Sequence, residues 1–219
     1  VDGQESTNDM VVGMANGASG VRLGEVGLRQ LAEALEALLL SLAVAMVADG
    51  EGATKAVRLT VDGARDAGEA ERIARAVADS PLVKTAFFGR DANWGRIVQA
   101  AGQALGRAAG AAGGDACGTH AATVPSGLPG ATDRDSAPAA TVMGAAATGA
   151  ADVLYEDLAV VRGGRPVPLS ESAQERLADI MAQHEIDLRV AVNGGLGTAI
   201  VYFSDLTHDY VTLNAEYTS

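Results

Sequence analysis

Glu51 is a carboxylate set between two glycines, in the run Asp49-Gly50-Glu51-Gly52-Ala53-Thr54-Lys55. Small neighbours let a ligand or a second backbone come close, so a site could form around it. The same residues also read as a helix ended by Gly50 with Glu51 a solvated turn residue. A second set is Arg90, Trp94 and Arg96 around Asp91-Ala92-Asn93-Trp94-Gly95-Arg96. These side chains could stack on a ligand, or Trp94 could anchor an interface while the arginines pair nearby acids. Cys117 and His120 have a spacing seen in metal sites, but His184 and His208 are isolated, and structural zinc needs four protein ligands. Gly13, Gly17 and Gly20 lack the Gly-Lys-Ser/Thr and the strand-to-helix spacing of a phosphate loop.

Flanking elements must position Glu51. Leu28, Leu31, Leu35, Leu38 and Leu42 recur at helical steps before the loop. Beyond it, Val57, Leu59 and Val61 alternate with Arg58, Thr60 and Asp62, a strand with one buried face. Residues 66–79 carry Ala70, Ile73, Ala74 and Val77 on one face of an amphipathic helix, Leu82 to Phe88 reads as β-rich, and Asp91 or Asn93 stands at the cap of a short helix. From Gly106 to about Ala150 the chain turns to Ala, Gly, Thr, Pro and Ser, too poor in large apolar side chains to offset ordering entropy, which predicts a disordered insertion holding Cys117 and His120. Leu154 to Val161 reads as a strand, and Ser170 as the cap of another helix. Ile186 to Val192 and Ala199 to Phe203 read as a hairpin turned by Asn193-Gly194-Gly195, and Tyr210 to Ser219 as a last strand.

The 219 residues carry a net charge of −12, which disfavours nucleic acid and anionic membrane as partners. A single cysteine excludes an internal disulfide and fits a reducing cytosol. The chain opens at Val1 without an initiator Met or a visible leader, which suggests a piece of something longer. The uninterrupted apolar part of the first helix, Ala37 to Ala48, falls short of the ~20 residues a bilayer needs, so it is expected to be a buried core helix.

Four stretches, in order, resemble one family: Val1-Asp2-Gly3 with Ser6-Thr7-Asn8-Asp9, then residues 49–55, then residues 91–96, then Asn214-Ala215-Glu216-Tyr217. They are similar to the β chain of ornithine acetyltransferase, the bifunctional glutamate N-acetyltransferase of arginine biosynthesis. The resemblance covers the chain apart from the 106–150 segment. It implies an α+β fold, with residues 1–54 the C-terminal part of a layered αββα-type catalytic domain and residues 55–219 a smaller α/β domain.

By that resemblance an acetyl group passes from N-acetylornithine to a threonine nucleophile and then to glutamate, which splits one amide exchange into two acyl transfers. Some members of the family also accept acetyl-CoA; no other cofactor is implied. The threonine, freed by self-cleavage, and the oxyanion residues are expected upstream of Val1, so this chain alone should be inactive and should act with an α chain in an α2β2 assembly, in the cytoplasm. What carries over is the substrate side: Glu51, whose carboxylate suits a substrate ammonium, and Asn214 and Ser219, whose amide and hydroxyl can donate to a substrate carboxylate. Ser219 stands where the family often has threonine, and Gln4 where aspartate is more usual. The alternative reading is an amino-acid-binding module or gene remnant without catalysis.

Overall fold

The computed structural model describes residues 2, 3, 8, 10–111 and 151–216. In chain order these form α1 (Glu25–Ala48), β1 (Ala56–Ala64), α2 (Ala67–Ala78), α3 (Pro81–Phe88), α4 (Trp94–Ala111), β2 (Asp152–Tyr155), β3 (Leu158–Arg162), β4 (Arg165–Pro166), α5 (Glu171–Ala182), β5 (Glu185–Ala191), β6 (Gly197–Ser204) and α6 (His208–Glu216). The fold is α+β. The six strands among the described residues make one mixed sheet in the order β4-β3-β2-β5-β1-β6, with β1 parallel to β5 and antiparallel to β6.

Strand alternation decides where the core lies. Val57, Leu59 and Val61 of β1 and Ile186, Leu188 and Val190 of β5 point to one face, and the helices close over it with Ile73 and Val77 of α2, Phe87 of α3, Ile97 of α4 and Met181 of α5. Phe87 sits edge-on to Phe203 at 5.6 Å and tilted to Tyr155 at 6.1 Å. The opposite face stays polar, crossed by ion pairs between Arg189 and Asp62 (2.6 Å) and between Arg58 and Asp187 (3.7 Å). The hydrogen bond to Asp62, with its charge, holds the Arg189 guanidinium above its usual pKa.

Caps start the helices where the sequence offers them. Asp66 accepts from the N–H of Glu69 and Ser170 from that of Ala173. Asn93 accepts from the N–H of Arg96 at the head of α4, which runs to Ala111 and so is not short.

Four sequence expectations are corrected. Residues 82–88 form a helix, because Ser80 accepts from the N–H of Val83 and Pro81 occupies the first helical position, where its missing N–H costs nothing. Leu154 to Val161 is two strands, β2 and β3, folded back at Glu156, whose φ is 55°. β5 and β6 are not a hairpin: β1 lies between them and pairs with both, while the Asn193-Gly194-Gly195 turn crosses the end of β1, where the N–H groups of Gly194 and Gly195 both donate to Gly63 O. Residues 208–216 are helical, since Thr207 Oγ1 takes up the N–H of Tyr210 and starts a turn.

The first helix also departs from expectation. α1 spans 24 residues, none of them buried, and Leu28, Leu31, Leu35, Leu38 and Leu42 are each at least half exposed. By length and composition it could cross a bilayer, a test that core helices of soluble proteins also pass. Its apolar stripe thus has no cover among the described residues, although the helix meets β1 and β6. The 10–14 stretch forms no regular element, and Cys117, His120 and nearly all of the proposed insertion lie outside the described residues.

Candidate functional site

Residues 49–55 leave α1 through a turn in which the N–H of Ala53 donates to Gly50 O. Three anchors then fix the path of the loop. Gly52 has φ +64°, and a Cβ there would come within 2.5 Å of Tyr210 N, so only glycine lets the loop lie against the first turn of α6. Thr207 Oγ1 ties the two together by donating to Gly52 O (2.7 Å). Asp205, buried just after β6, accepts from Thr54 N (2.8 Å), Thr54 Oγ1 (2.5 Å) and Lys55 N (3.0 Å). From the far side, His184 Nδ1 donates to Thr54 O at 3.0 Å. Lys55 Nζ donates to Gln183 O, and burial, with Arg90 adding to it, lowers the Lys55 pKa.

This clamp brings the two ends of the chain together. Asn214, on α6, donates one amide hydrogen to Glu51 Oε2 (2.7 Å) and the other to Tyr210 O (2.9 Å). Tyr210 in turn donates its hydroxyl to Asp2 Oδ2 (2.8 Å). That hydrogen bond, followed by burial and the charges of Asp2 and Glu51, raises the Tyr210 pKa. Both Glu51 and Asn214 remain exposed. With its amide hydrogens committed, Asn214 keeps Oδ1 as an acceptor, and neither it nor Glu51 Oε1 has a donor among the described residues. Acceptors on two side chains hydrogen-bonded to each other, one of them anionic, suit an ammonium group. Ser219 lies outside the described residues.

Trp94 and Arg96 are engaged elsewhere, whereas Arg90 lies near enough to Lys55 of the loop to add to burial in lowering its pKa. Trp94 is half-buried against the core, Arg96 Nη1 donates to Leu82 O (2.8 Å), and Asn93 caps α4 while donating to Asp91 Oδ2 (3.0 Å). These residues fasten α4 to α3. Arg90 takes φ 56° at the turn between the two helices. Asp205 and Thr207, which hold the loop, carried no signal in the sequence beyond lying after a strand. Among the described residues no three His, Cys, Asp or Glu side chains come together to hold a metal ion.

Elements of this kind, a mixed sheet whose core face is covered by helices, define an α+β scaffold already seen in a solved structure. The chain superposes on the arginine biosynthesis bifunctional protein argJ of Bacillus halodurans with a TM-score of 0.73 at 29% identity, covering 99% of this chain and 84% of that one. The ArgJ family sequence model matches residues 1–124 and 130–219, and the chain belongs to that family. Two curated relatives, each named arginine biosynthesis bifunctional protein ArgJ, come from Geobacter sulfurreducens (40% identical, 99% of this chain) and Nitratidesulfovibrio vulgaris (38%, 100% of this chain). A relative from Sorghum bicolor, 35% identical over 100% of this chain, is named as the chloroplastic form. The chain spans about half the length of the curated relatives it matches, 46% of the first two.

Proposed function

We propose that this chain is the β-chain portion of an acetyltransferase that moves an acetyl group from N-acetylornithine to glutamate through an acyl-threonine intermediate in arginine biosynthesis. Membership of the ArgJ family supports the reaction class. The single observation that carries the substrate side is the Glu51–Asn214 pair, held together from residues 163 apart and offering two acceptors to an amine. Ornithine and glutamate derivatives bring both an ammonium and a carboxylate. Glu51 and Asn214 take the ammonium, and the Ser219 hydroxyl contributes to the carboxylate end.

In this reading the nucleophile belongs to the segment that precedes Val1, exposed by self-cleavage, and the residues up to 54 complete a layered domain with that segment. The uncovered stripe of α1 supports this, because an apolar face of that length needs a protein cover. The assembly is an α2β2 heterotetramer in the cytoplasm. Acetyl-CoA serves as a second acetyl donor, and no bound cofactor takes part.

The test is Glu51→Gln in the complete enzyme. A KM for N-acetylornithine raised about tenfold, equal to about 1.4 kcal/mol, is the expected result. An unchanged KM would show that the loop does not meet the substrate.

A further inference from the structure

A cleft of about 960 Å³ opens between α2 and α4, within the size range of small-molecule sites. Its charged wall is Arg65, Arg72 and Arg75, with Asp79 the one carboxylate among the lining residues. Arg72, Arg75 and Asp79 recur at helical steps and so share a face of α2. Across from them α4 contributes Gln99 and Gln103, one turn apart, over a floor of Ala76, Leu82, Ala100 and Ala104.

The guanidinium groups are partly pre-organised. Arg65 Nε is held by Glu69 Oε1 at 2.8 Å and Arg75 Nε by Glu71 Oε1 at 3.0 Å. These contacts fix two side chains and leave further N–H groups of each to donate. Arg72, between them, makes no ion pair or hydrogen bond with the described residues. Glu69 and Glu71 balance Arg65 and Arg75, and Asp79 also lines the cleft, so Arg72 is the cation whose guanidinium is left without an ionic partner among the described residues. An anion there meets the unpaired Arg72, the remaining N–H groups of Arg65 and Arg75, amides on the facing wall and an apolar floor for a short hydrocarbon body.

We propose that the α2–α4 cleft binds a small organic anion bearing carboxylate or phosphate groups, with Arg72 as its principal contact. None of its lining residues belongs to the Glu51–Asn214 arrangement, and the inference does not rest on the proposed acetyl transfer.

The experiment is calorimetric titration of inorganic pyrophosphate and, separately, of succinate into the complete protein and its Arg72→Glu and Glu51→Gln variants. Saturable binding of either anion that weakens at least about tenfold in Arg72→Glu and persists in Glu51→Gln is the expected result. The better-bound probe then separates a phosphate from a carboxylate ligand. No saturable binding of either, binding untouched by Arg72→Glu, or binding lost only in Glu51→Gln would each overturn the proposal. Should Arg72→Glu lose its native circular dichroism, Gln103→Glu places the same negative charge on the opposite wall, and the same two readings apply.

Discussion

Asn214 binds Glu51 Oε2 at 2.7 Å with one amide hydrogen and Tyr210 O at 2.9 Å with the other, so the loop carboxylate is oriented by the last helix of the chain. Each residue constrains the other, and their contributions to substrate affinity should not add. In the complete enzyme Asn214→Ala is expected to raise KM by about tenfold, and its cycle with Glu51→Gln to show a coupling of about 0.5–3 kcal/mol. Steady-state kinetics on the four proteins measures this. Strictly additive effects would mean that the two side chains act separately.

Gly52 is the point at which this orientation depends on backbone alone. An alanine there adds left-handed strain of about 1–2 kcal/mol and puts a Cβ within 2.5 Å of Tyr210 N and 2.9 Å of Thr207 Oγ1, an overlap costing a further 1–3 kcal/mol or so. Thermal denaturation of Gly52→Ala should show a clear drop in Tm. Gly13→Ala, where nothing lies within 4 Å and φ is not positive, should leave Tm almost unchanged. Equal effects at the two sites would argue against the close approach of loop and helix.

Asp205 fastens the same loop to the end of β6 while buried at 1% exposure. Its carboxylate serves two N–H groups and one hydroxyl, and Asp205→Asn replaces an acceptor with donors aimed at donors. The expected loss is about 2–4 kcal/mol, from buried groups left without partners. Thr54→Val removes only the 2.5 Å hydroxyl bond and should cost about 1–2 kcal/mol. Urea denaturation orders the two. A smaller loss in Asp205→Asn than in Thr54→Val would contradict the assigned network.

What was legible in the sequence was local. The period of α2, the alternation of β1 and the cap at Ser170 are set within a few residues, and the structure has them. The insertion of β1 between β5 and β6 was not legible, because strand order depends on pairings across more than a hundred residues, and Asn193-Gly194-Gly195 is the same turn chemistry whether its strands pair with each other or flank a third. Tyr210 to Leu213 misled for a related reason. β-branched and aromatic residues lean toward strand, but Thr207 capping Tyr210 N decides for helix. Of the site, Glu51 stood out through its glycines. Asp205 and Thr207 did not, since a buried acceptor is identified by what it receives and not by its neighbours in sequence.

Lys84 gives the fold a pH dependence of definite sign. It is 3% exposed, its Nζ donates to Ser204 O and stands 5.3 Å from the Phe203 ring centroid, and burial lowers its pKa from 10.5 to about 8 against the opposing pull of Asp79, Asp205 and Asp2. Below pH 8 both folded and unfolded chains hold the proton, and the fold carries the whole cost of a buried charge. Between about 8 and 10.5 the unfolded chain binds more protons, so stability rises with pH, by at most about 1.4 kcal/mol per unit from this group. Lys55, also depressed by burial, acts in the same direction. Tyr155 opposes them: burial raises its pKa above the ordinary 10, so above that pH the unfolded chain ionises first and stability falls. The urea midpoint should therefore climb from pH 8 toward 10 and turn over beyond it. Lys84→Met should flatten the climb and leave the fall in place. Identical slopes in the two proteins would mean that Lys84 does not carry its charge into the folded interior.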